Sequence, residues 1–252
     1  MTEYIADKKG YSTFILRLIA YAITIAGIVF TINGQSNIES LNYLSWVAYP
    51  IYAYLLAMGF DLTSNKIKYF VRMLIFTLIA EIPYNFYTSG KILNINAQNG
   101  MFTLTAALAL LIIIDFVYRK TNNIVVTAAC CYGLGYGAFW TLRHFNCEFY
   151  SFGVMIVIMF YVSRHVKYSK ILQLVFFAIL TLAITSEKSI NIILGSYQYS
   201  FPFRIFGFIA LILIWFSAEK RGPNSLPVKI SMYCFYPLLL AIAAIIKNTS
   251  LF

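Results

Sequence analysis

Acidic residues are scarce in this chain. It has nine Asp and Glu in 252 residues, and charged residues of both signs make up only 11%. A water-soluble domain of this length would need a more charged surface, so that class is excluded. Histidine is limited to His144 and His165, and the four cysteines, Cys130, Cys131, Cys147 and Cys234, show no metal-ligand spacing. This excludes a zinc or iron–sulfur centre built on a Cys/His motif, and the thiols read as buried and inert. No internal repeat and no linker long enough to divide the chain is present, so residues 1–252 are expected to form a single membrane domain. After the polar residues 1–9, the apolar run 14–31 has no clean small-residue cleavage site. It reads as a retained first span rather than a signal peptide.

What the chain has in abundance is apolar length. Hydrophobic residues make up 61%, and mean hydropathy is +0.76. They come in continuous runs rather than in strand-like alternation, which favours helices over a β-barrel. The expected fold is all-α, a polytopic transmembrane helical bundle of about nine spans. These lie near 12–32, 44–60, 67–87, 101–118, 123–140, 149–163, 170–185, 203–217 and 229–246. With the N-terminus inside, thirteen Lys and Arg fall in cytoplasmic segments and five in outer ones, which predicts N-in, C-out. The same asymmetry accounts for the net charge of +10 without nucleic acid and makes membrane lipid the expected partner. Pro50 and Pro237 interrupt spans, either for packing or to line a cavity. In 130–137, Gly133 and Gly137 form a G-x-x-x-G spacing, expected to let two helices approach closely.

Ionisable groups at membrane depth are the chemical candidates. Asp115 and Arg119 are one turn apart and are expected to pair. Glu81, in Glu81-Ile82-Pro83-Tyr84-Asn85, is expected to face the protein interior. Arg143, His144 and Glu148 gather in the connection after the fifth span, where an imidazole or a carboxylate offers a proton acceptor. Glu81, His144 and Glu148 are the candidate catalytic residues. Arg72, Asn85, Thr103, Arg143 and Tyr236 are the candidates for substrate contact, and no metal site is expected.

Several segments, in order, resemble the TraX family of pilin-acetyltransferase-like membrane proteins. They include Tyr49-Pro50-Ile51-Tyr52-Ala53-Tyr54, Gly59-Phe60, Arg72-Met73, Glu81 to Asn85 and Asn99 to Leu104. Further on come Glu148-Phe149-Tyr150-Ser151-Phe152-Gly153, Glu219-Lys220-Arg221-Gly222 and Met232 to Pro237. The resemblance implies a multi-pass protein of the bacterial cytoplasmic membrane. It also implies acyl transfer from acetyl-CoA or another acyl-CoA to a pilin-like or other secreted substrate. Members of that family are expected to carry Asp-His where this chain has Gly27-Ile28, and His where it has Leu239. Their acid before the second-span Gly is Met58 here. Three readings therefore stand: an acyltransferase relying on Glu81, His144 or Glu148, a non-catalytic relative that binds lipid, peptide or a membrane partner, and a small transporter.

Overall fold

The structure is a computed structural model. It describes residues 10–32, 39–183, 189–194, 197–218, 220, 222–223 and 225–249. Among these, nine α-helices follow the nine predicted spans: α1 Thr13–Ile32, α2 Glu39–Leu62, α3 Lys66–Ser89, α4 Gly100–Thr121, α5 Ile124–His144, α6 Tyr150–Ser163, α7 Ser169–Ala183, α8 Gly207–Trp215 and α9 Leu226–Thr249. Among the described residues, four stretches are long and apolar enough to cross a membrane: α1, α4, α5 and Ile230–Thr249 of α9. Shorter apolar helices lie in α6, α7 and α8.

One element departs from an all-helical reading. β1 (Ser189–Leu194) and β2 (Tyr197–Pro202) pair antiparallel, with Ser189 opposite Pro202 and Leu194 opposite Tyr197. Both runs are too short for a span and rich in Ile, Tyr and Phe, types that favour the extended chain. Helix α8 follows directly, after a 3-10 turn over Phe203–Phe206.

The chain divides into two compact units. The first comprises Met1–Leu55 and Val162–Asn224. Its terminal segments are joined by backbone: Thr13 N–H donates to the Lys220 carbonyl at 3.0 Å, and Ala218 N–H donates to that of Tyr11 at 2.9 Å. Trp215 Nε1 donates to Gln173 Oε1 at 2.8 Å, and Gln173 Nε2 donates to Ser163 Oγ at 2.9 Å. These bonds satisfy buried polar groups that an apolar interior would otherwise penalise.

The second unit comprises Leu56–Tyr161 and Ser225–Phe252, and asparagine and glycine set its helix limits. Asn65 caps α3 by accepting from Lys68 N–H at 2.8 Å, and Gly90 ends it at φ 69°. Asn99 caps α4, accepting from Met101 N–H at 2.9 Å. Asn122 (φ 45°) then closes α4, and Asn123 caps α5, so two residues turn the chain back. Pro83 sits inside α3, and the helix continues through it.

Contacts fix the helix directions. Lys66 meets Asp115 at one end of the α3–α4 pair and Glu81 meets Asn99 at the other, so the two run antiparallel. Between them Thr77 and Thr105 share a hydroxyl hydrogen bond of 2.7 Å. Against α9, Phe76 stacks on Tyr233, and further along both helices Lys247 Nζ donates to the Tyr87 carbonyl, so α3 and α9 run parallel. The predicted Asp115–Arg119 pair forms at 2.9 Å, with Lys66 completing it at 2.7 Å.

The expectation for Gly133 and Gly137 is corrected. A Cβ at either would meet nothing within 4 Å, whereas one at Gly135 would lie 3.4 Å from Met155 Sδ. The glycine in close contact is therefore the middle one, because the buried face of α5 turns through Gly135.

Candidate functional site

Glu81 and Glu148 approach one structure, the N-terminus of α4, from different elements. Helical spacing sets the first approach. Glu81, Tyr84 and Asn85 lie three and four residues apart, hence on one face of α3, and that face turns inward. Tyr84 and Asn85 are both buried.

Glu81 Oε2 accepts from Asn99 Nδ2 at 2.5 Å and from Asn99 N–H at 3.2 Å. Asn99 Nδ2 also donates to the Thr77 carbonyl at 3.3 Å. Asn99 therefore caps its own helix and holds the α3 carboxylate. Glu81 Oε1 and Asn85 Oδ1 are buried, without a hydrogen-bond partner among the described residues.

Glu148 comes from the connection between α5 and α6. That connection is tied to residue 98 by backbone: Gln98 N–H donates to the Asn146 carbonyl at 3.2 Å, and Glu148 N–H donates to that of Gln98 at 3.1 Å. Asn146 and Phe149 both adopt left-handed φ, 47° and 60°, uncommon for a side chain as large as phenylalanine. The turn aims the Glu148 side chain inward. Its Oε1 accepts from the Tyr84 hydroxyl at 3.1 Å, and its Oε2 accepts from Gly100 N–H at 3.1 Å. The Thr103 hydroxyl donates to the Glu148 carbonyl. A Cβ at position 100 would lie 3.2 Å from both Glu148 Oε2 and the Phe149 ring, so a larger residue there would crowd this carboxylate.

Burial pushes the Glu148 carboxyl up from the ordinary carboxylate range to about 7. The bonds from Tyr84 and Gly100 oppose the rise, and the neighbouring Glu81 charge adds to it. The adjacent Cys147 thiol is pushed up to about 11, first by burial and then by the two carboxylates. A thiol in that state is not a ready nucleophile at neutral pH.

The sequence candidates separate on this geometry. Glu81, Asn85, Thr103 and Glu148 gather around the start of α4, whereas Tyr236 lies on α9. Arg72 lies at the other end of α3, over the Tyr233 ring at 5.9 Å. His144 and Arg143, on the last turn of α5, are exposed. The His144 ring contacts Phe145 edge-on at 5.3 Å, and Arg143 lies over the Phe139 ring at 5.8 Å. Among the described residues the His144 side chain has no hydrogen bond. Tyr84, Asn99 and Gly100 are the direct partners that the candidate set omitted. Their signal was present in the i, i+3, i+4 spacing of Glu81, Tyr84 and Asn85, and in Asn99-Gly100 at the start of an apolar run.

No curated protein and no solved structure matches the chain. The model of the family described as TraX protein matches residues 15–247, nearly the whole length, and the chain therefore belongs to the TraX family of membrane proteins.

Proposed function

We propose that this chain is an acyltransferase of TraX type in the bacterial cytoplasmic membrane, with Glu148 as its proton acceptor. Acetyl-CoA or another acyl-CoA is the donor, and a pilin-like or other secreted protein is the acceptor. The observation that carries the reading is the half-buried Glu148 carboxyl, positioned by Tyr84 and Gly100 and pushed by burial up to about 7. A base works best when its pKa lies near the operating pH. In the reaction, the acceptor's amine or hydroxyl attacks the thioester carbonyl. The new C–N or C–O bond forms, the C–S bond breaks, Glu148 takes the acceptor's proton, and the departing thiolate is protonated in turn.

The nine-span, N-in, C-out arrangement belongs to the same proposal. The Lys and Arg asymmetry supports it, as do the parallel α3 and α9 and the antiparallel α3 and α4. In this topology the Glu148 connection faces outward, on the side of a secreted substrate.

A non-catalytic relative is favoured by a different observation. Both Glu148 oxygens already have protein donors, and Ile28 and Leu239 are apolar where the family resemblance implies proton-transfer groups. Transfer of labelled acetyl from acetyl-CoA, by purified protein in nanodiscs, separates the two. The catalytic reading expects turnover that Glu148→Gln lowers by about a hundredfold to ten-thousandfold. Turnover indifferent to Glu148→Gln removes Glu148 from the role, and no turnover with any acceptor supports the non-catalytic relative.

A further inference from the structure

Helix α3 carries a second feature, on the face turned away from Glu81. At 3.6 residues per turn, Lys68, Arg72, Ile75, Ile79 and Ile82 fall in one sector of about 80°. Lys68 and Arg72 are exposed, and so are the three isoleucines, at 49%, 49% and 54%. Read along the helix, this face is two cations followed by a column of branched aliphatic side chains.

The two cations are held in place, and no described carboxylate neutralises them. Arg72 lies over the Tyr233 ring, and its Nε donates to the Lys68 carbonyl at 3.2 Å. These contacts orient the guanidinium and use one of its five N–H donors. Among the described residues neither Lys68 nor Arg72 has an ion-pair partner. Asp115 is occupied by Lys66 and Arg119. The first turn of α3 has no acidic residue, so the helix dipole also disfavours Lys68 there.

Among the described residues no anion meets these cations, and an aliphatic chain is what the isoleucine column matches. Both requirements fall to one molecule in a membrane. We propose that this face of α3 is a binding site for an anionic phospholipid, its phosphate on Lys68 and Arg72 beside Tyr233 and an acyl chain along Ile75, Ile79 and Ile82. The contact is local, unlike the diffuse attraction that any basic membrane surface exerts.

The test is native mass spectrometry of the full chain in detergent, titrated with phosphatidylglycerol and phosphatidylcholine of matched acyl chains. Phosphatidylglycerol adducts are expected at lipid concentrations on the order of tenfold lower. Lys68→Gln with Arg72→Gln should erase that preference. Lys167→Gln with Lys170→Gln, at the basic start of α7, should leave it intact. Thermal melting of both double variants checks that they are folded. Equal adducts with the two lipids overturn the proposal. So does a preference that survives in the Lys68/Arg72 variant, or one lost equally in the Lys167/Lys170 variant, which marks diffuse attraction only.

Discussion

Replacing Glu148 with glutamine should reverse the order of stability with pH. In an unfolded chain this carboxyl titrates near the ordinary 4.5, and in the fold near about 7. Between those values the folded protein holds a proton that the unfolded chain has released. Stability is therefore greatest at acidic pH, falls as pH rises through this window, and levels off above it. At about 1.4 kcal/mol per pKa unit, the loss amounts to about 3 kcal/mol. Glutamine has no such dependence, but its amide end cannot accept from both Tyr84 and Gly100. One lost hydrogen bond costs about 1 kcal/mol. The wild type should thus lead by about 1 kcal/mol near pH 4 and trail by about 2 kcal/mol near pH 8. Melting in detergent across this range, wild type beside Glu148→Gln, reads the crossing directly. A gap of constant sign and size would mean that Glu148 titrates alike in the folded and unfolded chain, and the reasoning from its burial would be refuted.

Two further outcomes follow from packing and charge. The Asp115 and Lys66 side chains are only 15% and 21% exposed, whereas Arg119 is 70% exposed. Asp115→Asn should therefore cost about 1–3 kcal/mol, and Arg119→Ala less than about 0.5 kcal/mol, in denaturation of the purified protein. Equal costs would show that the Lys66 pair adds nothing. On α5, Gly135→Leu should destabilise by about 1–3 kcal/mol through the clash with Met155, and Gly133→Ala should gain up to about 1 kcal/mol in helix propensity. The opposite ranking would restore the G-x-x-x-G reading of this helix.

Helix positions were legible because a membrane forces long apolar runs into helices, whose ends asparagine and glycine then mark. The run expected over 101–118 becomes Gly100–Thr121, lengthened at both ends by Asn99 and Asn122. The hairpin at 189–202 escaped because Ser189 to Pro202 is too short for a span and was read only as connection. The glycine contact on α5 was misplaced because the spacing rule does not say which face of a helix is buried. At the candidate site, the charge of Glu81 in an apolar run pointed inward correctly. Its partner Asn99 is eighteen residues away across a loop, a tertiary relation that local pattern does not carry. Glu148 and His144 looked equivalent in sequence, four residues apart in one polar connection. The left-handed turns at Asn146 and Phe149 separate them, taking the carboxylate inward beside Gly100 and leaving the imidazole exposed on α5.

The contrast between those two residues gives the most direct test of the account. Acetyl transfer from acetyl-CoA is measured for wild type, Glu148→Gln and His144→Ala in nanodiscs, each across a pH series. The account predicts a wild-type rate that rises with pH through about 7, a loss of about a hundredfold or more in Glu148→Gln, and little change in His144→Ala. Loss of activity in His144→Ala with Glu148→Gln unaffected would place the proton acceptor on the exposed last turn of α5 and contradict the central claim.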